Sequence, residues 1–283
     1  VLLAFVAPAR AEKYANAGLL IETDELARVL NNPKVRVLDA RPPHEYQQEH
    51  LPGAVNLPAA ATDDLAANQQ GLPLPLEHAA ELFREAGINH DSRVIVYDDH
   101  GNRYAARVFY VLEFFGHSQV RVLNGGIGKW KGEGRALTNN TPTVAAGNFQ
   151  LRPNLNRIAT SDWIRAQLKN PKVKFLDARS AAEYGGGKSD TPGGGHIPGA
   201  AHLEWTEVLA SGEVKTFLGA GELEKLLAEA GVRRGQEAVV YCERGMRAAN
   251  LYFVLRLLGF ERLRMYDASW AEWGRNRELP VEP

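Results

Sequence analysis

"VRVLDAR", residues 35–41, returns as "VKFLDAR" at residues 173–179. Three more stretches return in the same order: "HLPGAVNL" (50–57) as "HIPGAAHL" (196–203), "RVIVYDD" (93–99) as "AVVYCER" (238–244), and "VRVLNGGIGKW" (120–130) as "LRMYDASWAEW" (263–273). Ordered matches of this kind mark an internal duplication, and a duplication decides the architecture before any single element does. The 283-residue chain is long enough for two domains that each bury a core of their own.

Within each copy the runs "VRVL", "VIVY" and "VVY" are brief, apolar and bounded by turn residues, as buried strands are. Between them "LEHAAELFREAG" (76–87) and "GELEKLLAEAG" (221–231) repeat apolar positions at helical spacing and stop at a Gly. Strands alternating with helices predict an α/β fold, each copy a mainly parallel sheet flanked by helices. "KGEGRALTNNTPTVAAGNFQLRPNLNR" (131–157), rich in Gly, Asn, Thr and Pro, reads as the connection. The expected division is 18–135 for the first domain, 136–155 for the linker and 156–278 for the second domain.

Composition narrows the function. Basic and acidic side chains number 33 and 34, so no global field invites nucleic acid or an anionic membrane. No run approaches the roughly 20 apolar residues of a membrane-spanning helix. Residues 1–17 begin with an apolar stretch and reach "ARA" at Ala9–Ala11, in the manner of a signal peptide cleaved after Ala11. An exported, periplasmic location is the expectation, and a cytoplasmic one if that segment is not a signal.

Cys242 is the only cysteine, which excludes an intrachain disulfide and argues against a zinc site. The thiol follows a strand-like run and heads the loop "CERGMR", after which an apolar helix-like stretch begins. A thiol of ordinary acidity, near pH 8.5, is mostly protonated at neutral pH, so a reactive one needs stabilisation of its anion. A helix N-terminus would aim unpaired N–H groups at the loop. A tight turn through Glu243, Arg244, Gly245, Met246 and Arg247 can form an anion-binding nest, with Gly245 supplying positive φ. Arg244 and Arg247 add fixed charge for an anionic donor. Each arginine also has a plainer reading: Arg247 as a brace of the loop, Arg244 as surface charge.

These motifs, with "YQQEHLPGAVNL" (46–57), "GGHIPGAAHLEW" (194–205), "LNGGIGKW" and "YDASWAEW", identify a resemblance to the two-domain rhodaneses of the bacterial thiosulfate sulfurtransferase type. The resemblance runs from about residue 20 to about residue 275. It implies tandem rhodanese-like domains, an inactive first copy and a second copy that carries the catalytic cysteine. The first-copy loop "YDDHGNRYAAR" agrees, with Asp98 or Asp99 where the thiol would stand. The implied chemistry is transfer of the sulfane sulfur of thiosulfate through a Cys242 persulfide to cyanide or another thiophilic acceptor, with no cofactor and no metal. The implied catalytic residues are Cys242 and Arg247. The donor would be held by Glu243, Arg244, Gly245 and Met246, and by Arg179 or Lys188, since Glu183 stands where relatives place an arginine. Two fused copies suggest a monomer.

Asp177 and Arg179 recur as Asp39 and Arg41 in the copy without a thiol, which favours structural roles for all four. His50 and His196 recur likewise and read as braces. A phosphatase that resembles this fold is disfavoured, because its arginine follows the cysteine after five residues and here the interval is four. A 3-mercaptopyruvate sulfurtransferase and a sulfur-delivery module with a protein acceptor are the closer alternatives. Relatives that use mercaptopyruvate have a small-residue loop in place of Glu243 and Arg244.

Overall fold

The structure, a computed structural model, describes residues 13–187 and 193–283. Its first half runs β1 (Leu20–Ile21), α1 (Thr23–Val29), β2 (Val35–Asp39), α2 (Pro43–Gln48), β3 (Val55–Asn56), α3 (Leu65–Gln69), α4 (Leu76–Glu85), β4 (Arg93–Tyr97), α5 (Arg103–Phe114), β5 (Val120–Leu123) and α6 (Gly126–Gly132). Its second half runs α7 (Ser161–Gln167), β6 (Val173–Asp177), α8 (Ala181–Tyr184), β7 (Ala201–His202), α9 (Ala220–Glu229), β8 (Glu237–Tyr241), α10 (Met246–Leu257), β9 (Leu263–Met265) and α11 (Ser269–Trp273).

The two sheets repeat each other. Strands lie in the order β1-β5-β4-β2-β3 in the first and β7-β6-β8-β9 in the second. Every strand pair is parallel, and β2 aligns with β4 as β6 aligns with β8, from Val35 opposite Arg93 and Val173 opposite Glu237. The place of β1 is taken in the second half by a single bridge, Ile158 to Met265. Strands β4 and β8 are buried after their first residue, so the β-branched runs read in the sequence are central strands covered on both faces. The helices α4 and α9 end where Gly87 and Gly231 adopt φ of +67° and +72°, the left-handed stop expected of glycine.

Expectation and structure part at the core. The largest apolar cluster does not belong to one half but runs through both, because α5 and α10 are buried on almost every side and lie against each other. Phe109 meets Phe253, and Tyr110 meets Tyr252, each edge to face with centroids 4.9 Å apart. Such pairs contribute about 0.5–1.5 kcal/mol each beyond the area they bury. Smaller clusters, one around Val37 and Trp130 and one around Phe175 and Trp270, take all their buried members from single halves. A helix that is mostly apolar and buried on most sides needs cover, and each half covers the other's.

The flanking segments reinforce this docking. Ahead of β1, Tyr14 donates its hydroxyl to Leu218 O and the Asn16 amide donates to Leu257 O at 2.9 Å, so the start of the described chain is tied to the second half. The connecting segment lies along the first half, with Gly147 donating to Arg84 O and Arg152 to Phe115 O. The cleavage expected after Ala11 lies outside the described residues. Among the described residues no helix is long and apolar enough to cross a membrane.

Candidate active site

Strand β8 ends at Tyr241 and delivers Cys242 to the carboxyl end of the sheet, the usual place for a site in a parallel α/β sheet. Cys242 is 1 % exposed. Its amide donates to Ser269 Oγ at 3.2 Å, and its carbonyl accepts from Trp270 N at 3.0 Å. The same Ser269 hydroxyl accepts from Gly245 N at 3.1 Å and donates to Tyr266 O, so one side chain fastens both ends of the loop. Ser269 holds φ at +55°, where the first half has Gly126 at +54°. A non-glycine residue in that region marks a position where the side chain is needed. Gly245 is there for the opposite reason: at φ +73°, a Cβ would lie 2.1 Å from Asp267 Oδ1.

The corresponding loop of the first half settles which aspartate replaces the thiol. Tyr97 ends β4 as Tyr241 ends β8, so the residue in the place of Cys242 is Asp98. Its carboxylate is buried and turned into its own loop. Oδ1 accepts from His100 N (3.0 Å) and Asn102 N (2.9 Å), and Oδ2 from Tyr104 N (2.7 Å) and Ala105 N (2.9 Å). Burial pushes the Asp98 carboxyl up and these N–H groups pull it part of the way back. The first loop is thus an anion nest already filled by an internal carboxylate.

Counted from the start of each helix, Tyr104 and Ala105 correspond to Arg247 and Ala248. Among the described residues the amides of Arg244, Arg247 and Ala248 make no hydrogen bond to protein. The first turn of a helix leaves such N–H groups without an intrahelical acceptor. By their match to the amides that hold Asp98, those of Arg247 and Ala248 offer a cradle for negative charge on the side chain at position 242.

The arginines around this cradle are not equally available. Arg247 grips Glu183 with both of its terminal nitrogens, each at 2.7 Å. Burial would push the Glu183 carboxyl up, but the hydrogen bonds from Arg247 and Ser180 overcome it and hold the group down at about 2. Glu183, which stands where relatives place an arginine, therefore directs its charge to Arg247. Arg244, largely exposed, reaches across to Asp63 of the first half at 3.1 Å. Between the halves opens a cleft of about 410 Å³ whose walls are mostly apolar, with Ala40, Pro42, Pro43 and Tyr104 on one side and Cys242, Glu243, Arg244, Met246 and Arg247 on the other.

A buried ion pair supports the loop from below. Arg107 of α5 pairs with Asp267, both with fully buried side chains, and its Nε also donates to Thr62 Oγ1 at 3.3 Å. Burial pushes the Asp267 carboxyl up to about 6, although Arg107 beside it pulls the other way. This pair joins the two halves under Gly245.

Of the residues expected at the site, Cys242, Glu243, Arg244, Met246 and Arg247 share the cleft, and Gly245 shapes the loop behind it. Arg179 corrects the expectation of a donor contact. Its side chain is fully buried, paired with Asp177 at 2.6 Å, donating to Gly195 O and lying 4.3 Å from the Trp270 ring, because the "DAR" turn needs a cation to close it. Arg41 and Asp39 pair in the same way in the first half. Lys188 lies outside the described residues. His50 and His196 stack on Tyr46 and Tyr184 at 3.8 and 3.7 Å, away from the cleft. Among the described residues Glu45, Asp99 and His100 bring ligand-type atoms together, but Arg41 stands 3.5 Å from Asp99 and occupies that charge.

Sequence reasoning missed Ser269, Asp267, Arg103 and Arg107. A signal existed only for Ser269, which stands opposite a glycine of the other copy in "NGG" and "DAS".

Residues 22–133 and 160–276 match the family described as Rhodanese-like domain. Over 274 residues the chain is 32 % identical to a thiosulfate sulfurtransferase of Azotobacter vinelandii, covering 96 % of this chain and 99 % of that one. It is also 32 % identical over 279 residues to the 3-mercaptopyruvate sulfurtransferase of Escherichia coli K12, with 93 % and 97 % covered. The crystal structure of SseA from Escherichia coli, described as a 3-mercaptopyruvate sulfotransferase with the rhodanese fold, superposes with a TM-score of 0.77 at 27 % identity, covering 90 % of this chain and 99 % of that one.

Proposed function

We propose that this chain, which belongs to the two-domain rhodanese family of sulfurtransferases, uses thiosulfate as its sulfur donor and carries the sulfur as a persulfide on Cys242. The observation that carries the reading is the contrast between the two loops. Amides that bind a carboxylate in the first half have their counterparts beside a thiol in the second. A site of that construction accommodates a thiolate, then a persulfide, with little rearrangement.

In the first half-reaction the Cys242 thiolate attacks the outer sulfur of thiosulfate and sulfite leaves. In the second a thiophile, cyanide in the simplest assay, attacks the outer sulfur of the persulfide and regenerates the thiolate. Covalent catalysis in two separated steps gives ping-pong kinetics. Arg247 lies within electrostatic reach of Cys242, which is among the groups that raise its own affinity for a proton. Held by Glu183, it acts as a fixed positive wall and keeps the loop in register.

Thiosulfate is favoured over 3-mercaptopyruvate by the loop itself, in which Glu243 and Arg244 replace the small residues of the mercaptopyruvate type. Intact-protein mass spectrometry tests this. Incubation with thiosulfate should add one sulfur to the protein, and cyanide should remove it as thiocyanate. Loading from 3-mercaptopyruvate alone would transfer the reading to the sister activity, and loading from neither would overturn catalysis in favour of sulfur delivery between proteins.

A further inference from the structure

Among the described residues three guanidinium groups face the cleft beside Cys242, and two of them are paired with carboxylates. Arg247 has given both terminal nitrogens to Glu183, and Arg244 is paired with Asp63. The third, Arg103, comes from the first half, at the first position of α5. Its guanidinium lies over the rings of Tyr104 and Trp205, at 4.9 and 5.3 Å, and donates one hydrogen bond to Tyr104 Oη at 3.3 Å. Its Nε is buried without a partner, and no carboxylate of the described residues forms an ion pair with it. The second half has Met246 at the same helix position, so the charge is a feature of one copy only.

A cleft of about 410 Å³ is far larger than a thiosulfate ion, so its walls alone do not orient the donor. The amide cradle can accept the sulfur end, which leaves sulfonate oxygens that need donors and a counter-charge. An arginine packed against two rings loses little freedom on binding an oxyanion and can donate to it from its terminal nitrogens. Arg247 is held by a carboxylate through both terminal nitrogens, and the charge of Arg244 is partly offset by Asp63.

We propose that Arg103 docks the sulfonate end of the sulfur donor while Cys242 takes the outer sulfur, so that the first domain, which lacks a thiol, supplies donor specificity. The inference rests on the sulfurtransferase reading above. The step balances without a further reagent. A bond forms between Cys242 Sγ and the outer sulfur, the S–S bond of thiosulfate breaks, and its electron pair departs with sulfite.

The test is persulfide loading of the full chain, followed by mass spectrometry and by stopped-flow protein fluorescence, as a function of thiosulfate concentration. Arg103→Gln should raise the half-saturating concentration by about tenfold or more. Loading at saturation and discharge by cyanide should stay within about twofold. Arg103→Lys should recover part of the affinity, and the penalty should be smaller for methanethiosulfonate, which carries one charge fewer. Arg103→Met, which copies the second half, repeats the measurement if the Gln variant does not fold. The proposal is overturned if wild-type protein loads and the neutral variants follow the same concentration curve, or if Arg244→Gln shifts the curve further than they do. A wild-type protein that loads from no donor would remove the sulfurtransferase reading, and the proposal with it.

Discussion

The loops after β4 and β8 descend from one design and answer it oppositely. In the first, a buried carboxylate, Asp98, occupies four backbone amides of its own loop. In the second, a thiol heads the loop and the matching amides of Arg247 and Ala248 make no hydrogen bond to protein among the described residues. An anion nest is costly to leave empty and buried, because each unsatisfied N–H there forfeits about 1–3 kcal/mol. The first half avoids that cost with an internal anion, and the second can use it to favour an external one. The first loop is also one residue longer, with Asn102 in the left-handed conformation that Gly245 adopts in the second.

Removing the thiol tests this contrast hardest. Cys242→Ser should lower turnover by more than about a thousandfold and abolish the added sulfur in the mass spectrum, with an unchanged unfolding midpoint. A variant that still gains the mass would mean that the sulfur is not carried as a Cys242 persulfide, and would break the comparison.

Gly245→Ala should come next, because the new methyl would have to displace the Asp267 carboxylate that pairs with Arg107. A loss of about 3 kcal/mol in urea unfolding is expected, together with a fall in kcat, from strain and a disturbed buried pair. Full stability in that variant would mean that the loop has a second conformation.

Asp98→Ala should leave four amides of the first loop without an acceptor and cost about 3 kcal/mol of stability, while kcat per folded molecule stays within about twofold. Asp99→Ala, at a half-exposed position paired with Arg41 and His100, should cost less than about 0.5 kcal/mol. A large kinetic effect of Asp98→Ala at constant stability would contradict a purely internal role for that carboxylate.

The last contrast is in the pH dependence of stability, where buried Asp267 and partly buried Glu183, both beside the second loop, have opposite signs. Asp267 is raised from 3.8 to about 6, so its contribution is full below pH 3.8 and is lost as pH rises through 6. Glu183 is lowered from 4.5 to about 2, so its contribution is full above pH 4.5 and is lost as pH falls through 2. Urea unfolding of wild-type and Asp267→Asn protein between pH 4 and 7 should show a downward slope with rising pH in the wild type that the variant lacks. Equal slopes would show that Arg107 holds Asp267 ionised throughout.

Much of this molecule was legible in its sequence, and the reason lies in distance along the chain. Alternating runs, helix periods and stops such as Gly87 and Gly231 depend on near neighbours, so the α/β class and the duplication could be read directly. Cys242 stood out because a thiol, a glycine turn and two arginines fall within six residues. The partners of those arginines were not legible. Arg179 read as a donor contact, and Glu183 showed no partner, because nothing local reveals that one lies beneath Trp270 and the other closes onto Arg247.

The sequence by itself determined that there are two copies of one α/β unit and that only one of them carries a thiol. The docking of the copies decided the rest: a single core around α5 and α10, the Arg107–Asp267 pair under the reactive loop, and Arg103 brought into the other copy's cleft. Those contacts join residues far apart in the chain, and they arise because two largely apolar helices bury most of their surface by packing against each other.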